Sequence, residues 1–335
     1  MPNSTKSFAE TTALTTRSDV LSDALRSMRI SGSLLLREEY APPWAIAVPD
    51  ADDLAAYFDI HPDVCIAAFH LVQRGRVELK LDKGDEAVIE AGEMVVCFAG
   101  QAHQLSQGEK PRVLPFAAVK GGMGNVFRPG KANRDNSASL VCGIFLLHDT
   151  HLNPLFTTLP PLLHASVSRS DGLPALSGIA DLLVREVNRQ VQGNDYVVER
   201  LLELLCAEAI RSYADTIPER AVGWLSGLRD PVIGRAIAMI HVRPDENWSV
   251  GRLAQQVTIS PSRFAARFTS TLGESPMAYV AKWRMYVASG LLDNTQRSID
   301  QIATHVGYES LAAFSRTFKR HLGLPPAAWR RRRCG

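Results

Sequence analysis

The stretch "WSVGRLAQQVTISPSRFAARFTSTLGESPMAYVAKWRMYVASGLLDNTQRSIDQIATHVGYESLAAFSRTFKRHLGLPPAAW" (residues 248–329) repeats itself at a period of 49 to 50 residues. Ser249, Leu253, Ala254 and Val257 return 49 positions later as Ser298, Ile302, Ala303 and Val306. Phe268, Gly273, Pro276 and Tyr279 return 50 positions later as Phe318, Gly323, Pro326 and Trp329. Each copy reads as helix, turn, helix. A serine (Ser249 or Ser298) caps the first helix, a short turn follows (marked by Gly307 in the second copy), and a second helix turns two phenylalanines inward before stopping at a glycine. Those pairs are Phe264 and Phe268, with Ser260 as cap, and Phe314 and Phe318. The small alanines at 254 and 303 let the two helices cross closely, which projects the second helix as a ridge able to enter a DNA major groove.

The outward positions of these ridges suit that task. The first offers Ser262, Arg263, Ala266 and Arg267; the second offers Glu309, Ser310, Ala312, Ser315, Arg316, Lys319 and Arg320. Arginine pairs bidentately with guanine edges, and serine and lysine suit phosphates. Between the copies, "PMAYVAKWRMYVASGLLDN" (276–294) reads as one helix of roughly 17 residues, about 25 Å long. With a turn at each end it separates the ridges by about one DNA turn, ~34 Å, so both reach successive major grooves on one face of a duplex. Charge agrees. The chain carries a net charge of only +2, but residues 229–335 hold 16 Lys+Arg against 7 Asp+Glu, a net of +9, leaving −7 on the rest. One capped hairpin with arginines would read as a solvated basic face. Two copies in matching phase on so basic a segment read as a double helix-turn-helix domain for double-stranded DNA. The run Arg330 to Arg333 reads mainly as a solvated end.

The remaining sequence has a different texture. At 335 residues, 46% apolar and 21% charged, the chain is sized for more than one domain and excludes a disordered chain or a disulfide-dense mini-protein. The polar start lacks an apolar signal segment, no apolar stretch approaches 18 residues, and five scattered cysteines fit a reducing cytoplasm. Residues 1–17 read as a tail. A short helix is expected over 18–29, capped by Ser18 or Asp19, with Val20, Leu21, Leu25 and Met28 as its apolar stripe. From 31 to 150 the pattern is β, with runs at 64–72, 76–81, 94–98, 113–119 and 139–147. Turns at Arg74-Gly75, Lys83-Gly84-Asp85, Ala91-Gly92 and Ala99-Gly100 indicate a sandwich or small barrel. The Gly-rich stretch 120–138 reads as a long excursion; it lacks the Gly-Lys-Ser/Thr ending of a phosphate loop. Residues 174–217 read as two amphipathic helices split at Gly193-Asn194. The stripe Val198, Leu201, Leu202, Leu205 and Ile210 serves either its own barrel or a homodimer surface. Pro and Gly over 218–230 mark a second boundary.

The stretches "WSVGRLAQQVTISPSRFAARF" and "SIDQIATHVGYESLAAFSRTFKRHLGLPPAAW" resemble the DNA-binding domain of AraC/XylS-type transcriptional regulators over residues 229–333, with "GYES…FSRTFKRHLGLPP" the most specific part. The resemblance implies a bacterial promoter-binding regulator, with activation (and hence contact with RNA polymerase) favoured over repression. The first ridge departs from the pattern with Ala265 and Ala266, where relatives often carry larger polar contacts. "FHLVQRGRVELKL", "AGEMVVCFAGQAH" and "SLVCGIFLLHDTHLNPLFTTLPPLL" are similar to the cupin-type sensor domains that accompany many such regulators. The paired H-x-H followed by Glu of cupin metalloenzymes is absent, with His70 standing alone, and Phe98 replaces the usual proline.

The expected fold is therefore α+β and multidomain. A tail and short helix (1–30) precede a cupin-like, effector-sensing β-barrel (31–155). A helical connector and dimerisation element (156–228) leads to an all-α double helix-turn-helix domain (229–335) with units at about 249–272 and 298–322. Strand parity places His70 with Ile66, Ala68 and Val72, and Cys142 with Leu140, Ile144 and Leu146. If both faces point inward, His70, His103 and Cys142 converge as a site for zinc, another divalent metal, or a small-molecule effector; packed singly, they are ordinary core residues. Cys65 and Cys97 read as small packed hydrophobes. The expected function is an effector-controlled, homodimeric, cytoplasmic regulator and not an enzyme. The rival is a cupin-type metalloenzyme fused to a DNA-binding domain.

Overall fold

The apolar run at 64–72 becomes strand β3 (Cys65–Arg74), buried on both faces, which explains why it shows no polar alternation. The computed structural model describes residues 19–332 apart from 62, 83, 131–135, 149, 151, 169–173, 190 and 219–220. The expected tail, the alternative cap Ser18, the turn residue Lys83 and Arg333 lie outside the described residues. Helix α1 (Val20–Ser27) is capped by Asp19, whose carboxylate accepts from the Leu21 amide at 3.1 Å.

Among the described residues, two five-stranded sheets face each other across an apolar core. The first joins β1 (Ser31–Tyr40), β9 (Ala138–Leu147), β3, β6 (Glu93–Cys97) and β10 (Leu162–Ser166) in that order. The second joins β5 (Glu86–Glu90), β4 (Arg76–Leu81), β7 (His103–Gln107), β2 (Trp44–Val48) and β8 (Val113–Pro115). Neighbours are antiparallel except β2 and β8. Helix α2 (Ala51–Phe58) crosses between β2 and β3. The run 113–119 stays a strand only to Pro115. Proline cannot extend the ladder, and the chain turns into helix α3 (Phe116–Lys120), burying Phe116. The Gly-rich excursion holds a 3₁₀ turn (Met123–Phe127) anchored by Phe127, edge-on to Tyr40 at 5.7 Å. Strand β10 carries the first sheet beyond residue 155.

Helices α4 (Pro174–Val187) and α5 (Asn194–Thr216) cover the outer face of the first sheet. Gly193, at φ +81°, makes the break between them. The α5 stripe packs on its own barrel: Val198, Leu202, Leu205 and Ile210 are buried, and a Cβ on Gly32 of β1 would lie 2.6 Å from the Leu202 Cβ. Each such leucine contributes about 1.5–3 kcal/mol through burial.

The C-terminal part is all helical: α6 (Trp224–Arg229), α7 (Ile233–Val242), α8 (Val250–Gln256), α9 (Pro261–Leu272), α10 (Pro276–Asn294), α11 (Ile299–His305), α12 (Leu311–Leu322) and α13 (Pro326–Arg332). The Pro- and Gly-punctuated boundary thus contains a helix. Buried Trp224 ties α6 to α10 by donating from Nε1 to the Tyr279 hydroxyl at 2.8 Å. One apolar cluster runs unbroken from Val20 and Phe69 through Leu202 to Trp224, Ile237 and Phe268, so sheet and helical parts share a core. Among the described residues, no helix is long and apolar enough to cross a membrane.

Candidate functional site

The two helix-turn-helix units follow from local chemistry. Ser249 accepts from the Arg252 amide at 3.1 Å and Ser260 from the Arg263 amide at 3.4 Å, so each starts a helix. Pro261 at the first position of α9 loses nothing, because that N–H has no helical partner. In the second unit, Ser298 and Gln301 form a reciprocal capping box. Phe264 and Phe268 sit 5.6 Å apart between ring centroids, and Phe314 and Phe318 match them at 5.6 Å. Ala254 and Ala303 are buried at the crossings. Gly307, at φ +76°, makes the second turn, where a Cβ would lie 2.6 Å from the Asp245 carbonyl.

The expected DNA-facing residues separate into three groups. Ser262, Arg263 and Ala266 on α9, and Glu309, Ala312, Arg316, Lys319 and Arg320 in the second unit, are exposed; Ser315 is half-buried. Arg263, Arg316, Lys319 and Arg320 form no ion pair among the described residues. Arg267 is already engaged: its Nε and an Nη both lie 2.8 Å from an Asp230 carboxylate oxygen. Ser310 is the N-cap of α12, accepting from the Ala313 amide at 3.4 Å, and so begins the helix. The arginine tail is also less free than expected. Arg332 stacks on Trp329 at 4.1 Å and pairs with Asp63 at 2.8 Å, while Arg330 donates to the Arg297 carbonyl at 2.6 Å. Helix α13 folds back onto the domain, which brings these side chains within reach of partners.

Arg284, hidden in what read as a plain linker helix, bonds to segments of both units. Its guanidinium donates to the carbonyls of Pro244 (2.8 Å), Glu246 (2.9 Å) and Gly307 (3.2 Å), and lies over the Tyr308 ring. It joins the loop before the first unit to the turn of the second. Nothing in the local pattern distinguishes it from a solvated arginine; only the carbonyls converging from distant segments do. Helix α10, with 19 residues and therefore about 28 Å long, carries the spacing. A second link reaches α1 and the loop after β9. Buried Asn153 donates to the Ala24 carbonyl at 3.3 Å and the Tyr286 hydroxyl of α10 at 3.4 Å, and accepts from the Leu155 amide at 3.0 Å.

Inside the barrel, His70 of β3 and His103 of β7 meet across the two sheets, Nε2 to Nε2, at 2.7 Å. His103 Nδ1 donates to the Gln101 carbonyl at 2.9 Å, which leaves its Nε2 as the acceptor. His70 Nε2–H then donates, and His70 Nδ1 is a bare buried acceptor without a partner among the described residues. Burial lowers both imidazoles, His70 well below the usual histidine value, with His103 adding to the effect on His70. Both are therefore neutral near pH 7. The third member is Cys97, not Cys142: the ligand atoms of His70, Cys97 and His103 lie within 4.8 Å of one another. Register places both thiols beside His70. Cys97 of β6 pairs with Ala68, two residues before His70, and points inward with Val95. Cys142 pairs with His70 on the other side and shares with it a cavity of about 20 Å³, room for about one water. Burial pushes the Cys97 and Cys142 thiols up to about 12. His103 also lines an outer cleft of about 710 Å³ with Asp53, Tyr57, Asp82, Gln104 and Phe116.

Residues 19–215 match the Cupin family model and residues 253–332 match the Helix-turn-helix domain model. The chain is 29% identical to the HTH-type transcriptional regulator AlkR of Acinetobacter baylyi over 82% of this chain and 90% of AlkR. It is 27% identical to a putative AraC-like transcription regulator of Streptomyces lividans, over 79% and 87%. The DNA-binding domain of AdpA, solved in complex with a target DNA, is 31% identical, covering 31% of this chain and 92% of that one at a TM-score of 0.30. The chain belongs to the AraC-type transcriptional regulators in which a cupin-like domain precedes the helix-turn-helix DNA-binding domain.

Proposed function

We propose that both units enter successive major grooves on one face of promoter DNA, and that a small molecule or metal bound in the cupin-like domain controls this binding. The observation that carries the reading is the pair of matched ridges on α9 and α12, held at a set separation by α10 and Arg284. The cluster His70, Cys97 and His103 is the candidate sensor site. Two imidazoles and a thiol suit zinc, and the His103–Gln101 hydrogen bond is of the kind that orients a metal-binding imidazole. Bound there, zinc would supply a fixed charge that turns the Cys97 thiol into a thiolate. The outer cleft has the size of a small-molecule site. The route from barrel to DNA runs through Asn153 to Tyr286.

The same reading makes the protein a cytoplasmic homodimer and an activator that contacts RNA polymerase. The face of α5 away from the barrel, with Tyr196, Val197 and Leu204 exposed, supports the dimer. The test uses full-length protein and a duplex from the region upstream of its own coding sequence. Hydroxyl-radical footprinting should protect two patches about one helical turn apart, and added zinc should change affinity in the native protein but not in His70→Ala. One patch, or zinc acting equally on both proteins, contradicts the corresponding half of the proposal. Turnover of any small molecule by the full chain would favour the enzyme reading.

A further inference from the structure

The two recognition helices carry opposite chemistry at equivalent positions. Aligning the buried pairs Phe264/Phe268 and Phe314/Phe318 makes Ala266 the counterpart of Arg316, Thr269 of Lys319, and Ser270 of Arg320. At 100° per residue, position 266 (or 316) lies directly opposite the midpoint of the two phenylalanines and forms the crest of the ridge. The crest is therefore a methyl group in the first unit and a guanidinium in the second. All six of these residues are exposed. The two arginines of the first unit lie on one flank, Arg263 about 60° from the crest and Arg267 about 100° from it. Arg267 is held by Asp230, whose other oxygen accepts from the Val232 and Ile233 amides at 2.9 and 3.0 Å.

We infer that the two units read different kinds of DNA subsite: the second reads guanine through Arg316, and the first reads thymine methyl groups through Ala266 and Thr269. The inference rests on both units entering major grooves. There, guanine offers two acceptors that match a guanidinium, while the thymine C5-methyl is the one apolar group, and small apolar side chains contact it. An alanine crest also lets α9 approach the base edges closely, and its serine and threonine neighbours bring hydroxyls that work with either phosphates or bases. Arg263 on the flank is placed for a phosphate, so it supplies attraction without base choice.

The experiment selects duplexes from a randomised 30-base-pair library with the full-length protein. The subsite whose base preference changes in Arg316→Ala belongs to the second unit, and the one that changes in Ala266→Arg to the first. We expect uracil in place of thymine in the first subsite to weaken binding about three- to tenfold, with no effect in the second. We expect 7-deazaguanine in the second subsite to weaken it about five- to a hundredfold, and Ala266→Arg to create a guanine preference in the first. Guanine selected by the first unit of the native protein, or uracil without effect there, overturns the inference while leaving two-groove binding intact. Recovery of a single subsite overturns two-groove binding and the inference with it.

Discussion

Arg284 donates to the carbonyl of Gly307 at 3.2 Å, and a Cβ on Gly307 would lie 2.7 Å from the same guanidinium. The central helix and the second turn thus touch at a point with no room for a side chain. Because Arg284 also holds Pro244 and Glu246, this contact registers one unit against the other.

Arg284→Ala should lower stability by about 2 kcal/mol, since three charged hydrogen bonds to half-buried carbonyls are lost together. It should also reduce affinity for a two-groove duplex more than for a duplex holding one subsite. Gly307→Ala should cost about 1–2 kcal/mol from its left-handed backbone alone, before the clash is counted. Urea unfolding and fluorescence anisotropy on the two duplexes measure these effects. Equal losses of affinity on both duplexes would show that Arg284 supports folding without setting the spacing.

Arg316→Ala should weaken binding to a cognate promoter by roughly 1–3 kcal/mol and relax base preference at one position. Arg267→Ala should behave differently: it frees Asp230 and lowers the melting temperature, with any loss of affinity equal on cognate and random DNA. Anisotropy titrations on both DNAs separate the two. A cognate-specific loss for Arg267→Ala would mean that the Asp230 contact gives way on DNA.

Stability should fall with pH below neutrality. His241 is stacked on Trp283 at 3.4 Å, and its Nε2 is 2.7 Å from the Tyr279 hydroxyl; burial pushes its pKa down to about 3. The unfolded chain takes up the proton near 6.5, so it binds more protons than the folded one between those values. The contribution is complete above pH 6.5 and is lost as pH falls toward 3, at up to about 1.4 kcal/mol per pH unit. His70 and His103 shift in the same direction. Urea midpoints from pH 7.5 to 5 should therefore drop, and His241→Phe should flatten the slope. An unchanged slope would place the acid sensitivity elsewhere.

Zinc added to purified protein should bind at one equivalent, measured by calorimetry. His70→Ala, His103→Ala and Cys97→Ala should abolish it, and Cys142→Ala should leave it. Loss in Cys142→Ala with retention in Cys97→Ala would restore the set expected from strand parity.

Parity alone brought His70 and Cys142 to one inward face, because side chains alternate along every strand. It could not say which thiol completes the cluster. Cys97 and Cys142 flank His70 on neighbouring strands, and the choice depends on where β7 delivers His103 from the opposite sheet. Proline decided the fate of 113–119: Pro115 cannot extend the ladder, so the chain leaves the sheet for helix α3 where the apolar run alone would continue the strand.

By itself, the sequence determined the duplicated unit, its caps and stops, the inward phenylalanines and the basic ridges. All of these are local: a serine three residues before an amide, a glycine at positive φ, and a 3.6-residue period act over a single turn of chain. Tertiary structure alone decided that Arg267 belongs to Asp230, that Arg284 bonds to both units, and that Asn153 joins α1 to the central helix. In each case a partner lies on a separate element, from 23 to more than a hundred residues away in sequence, and its position follows from how the helices and sheets pack, which no local spacing encodes.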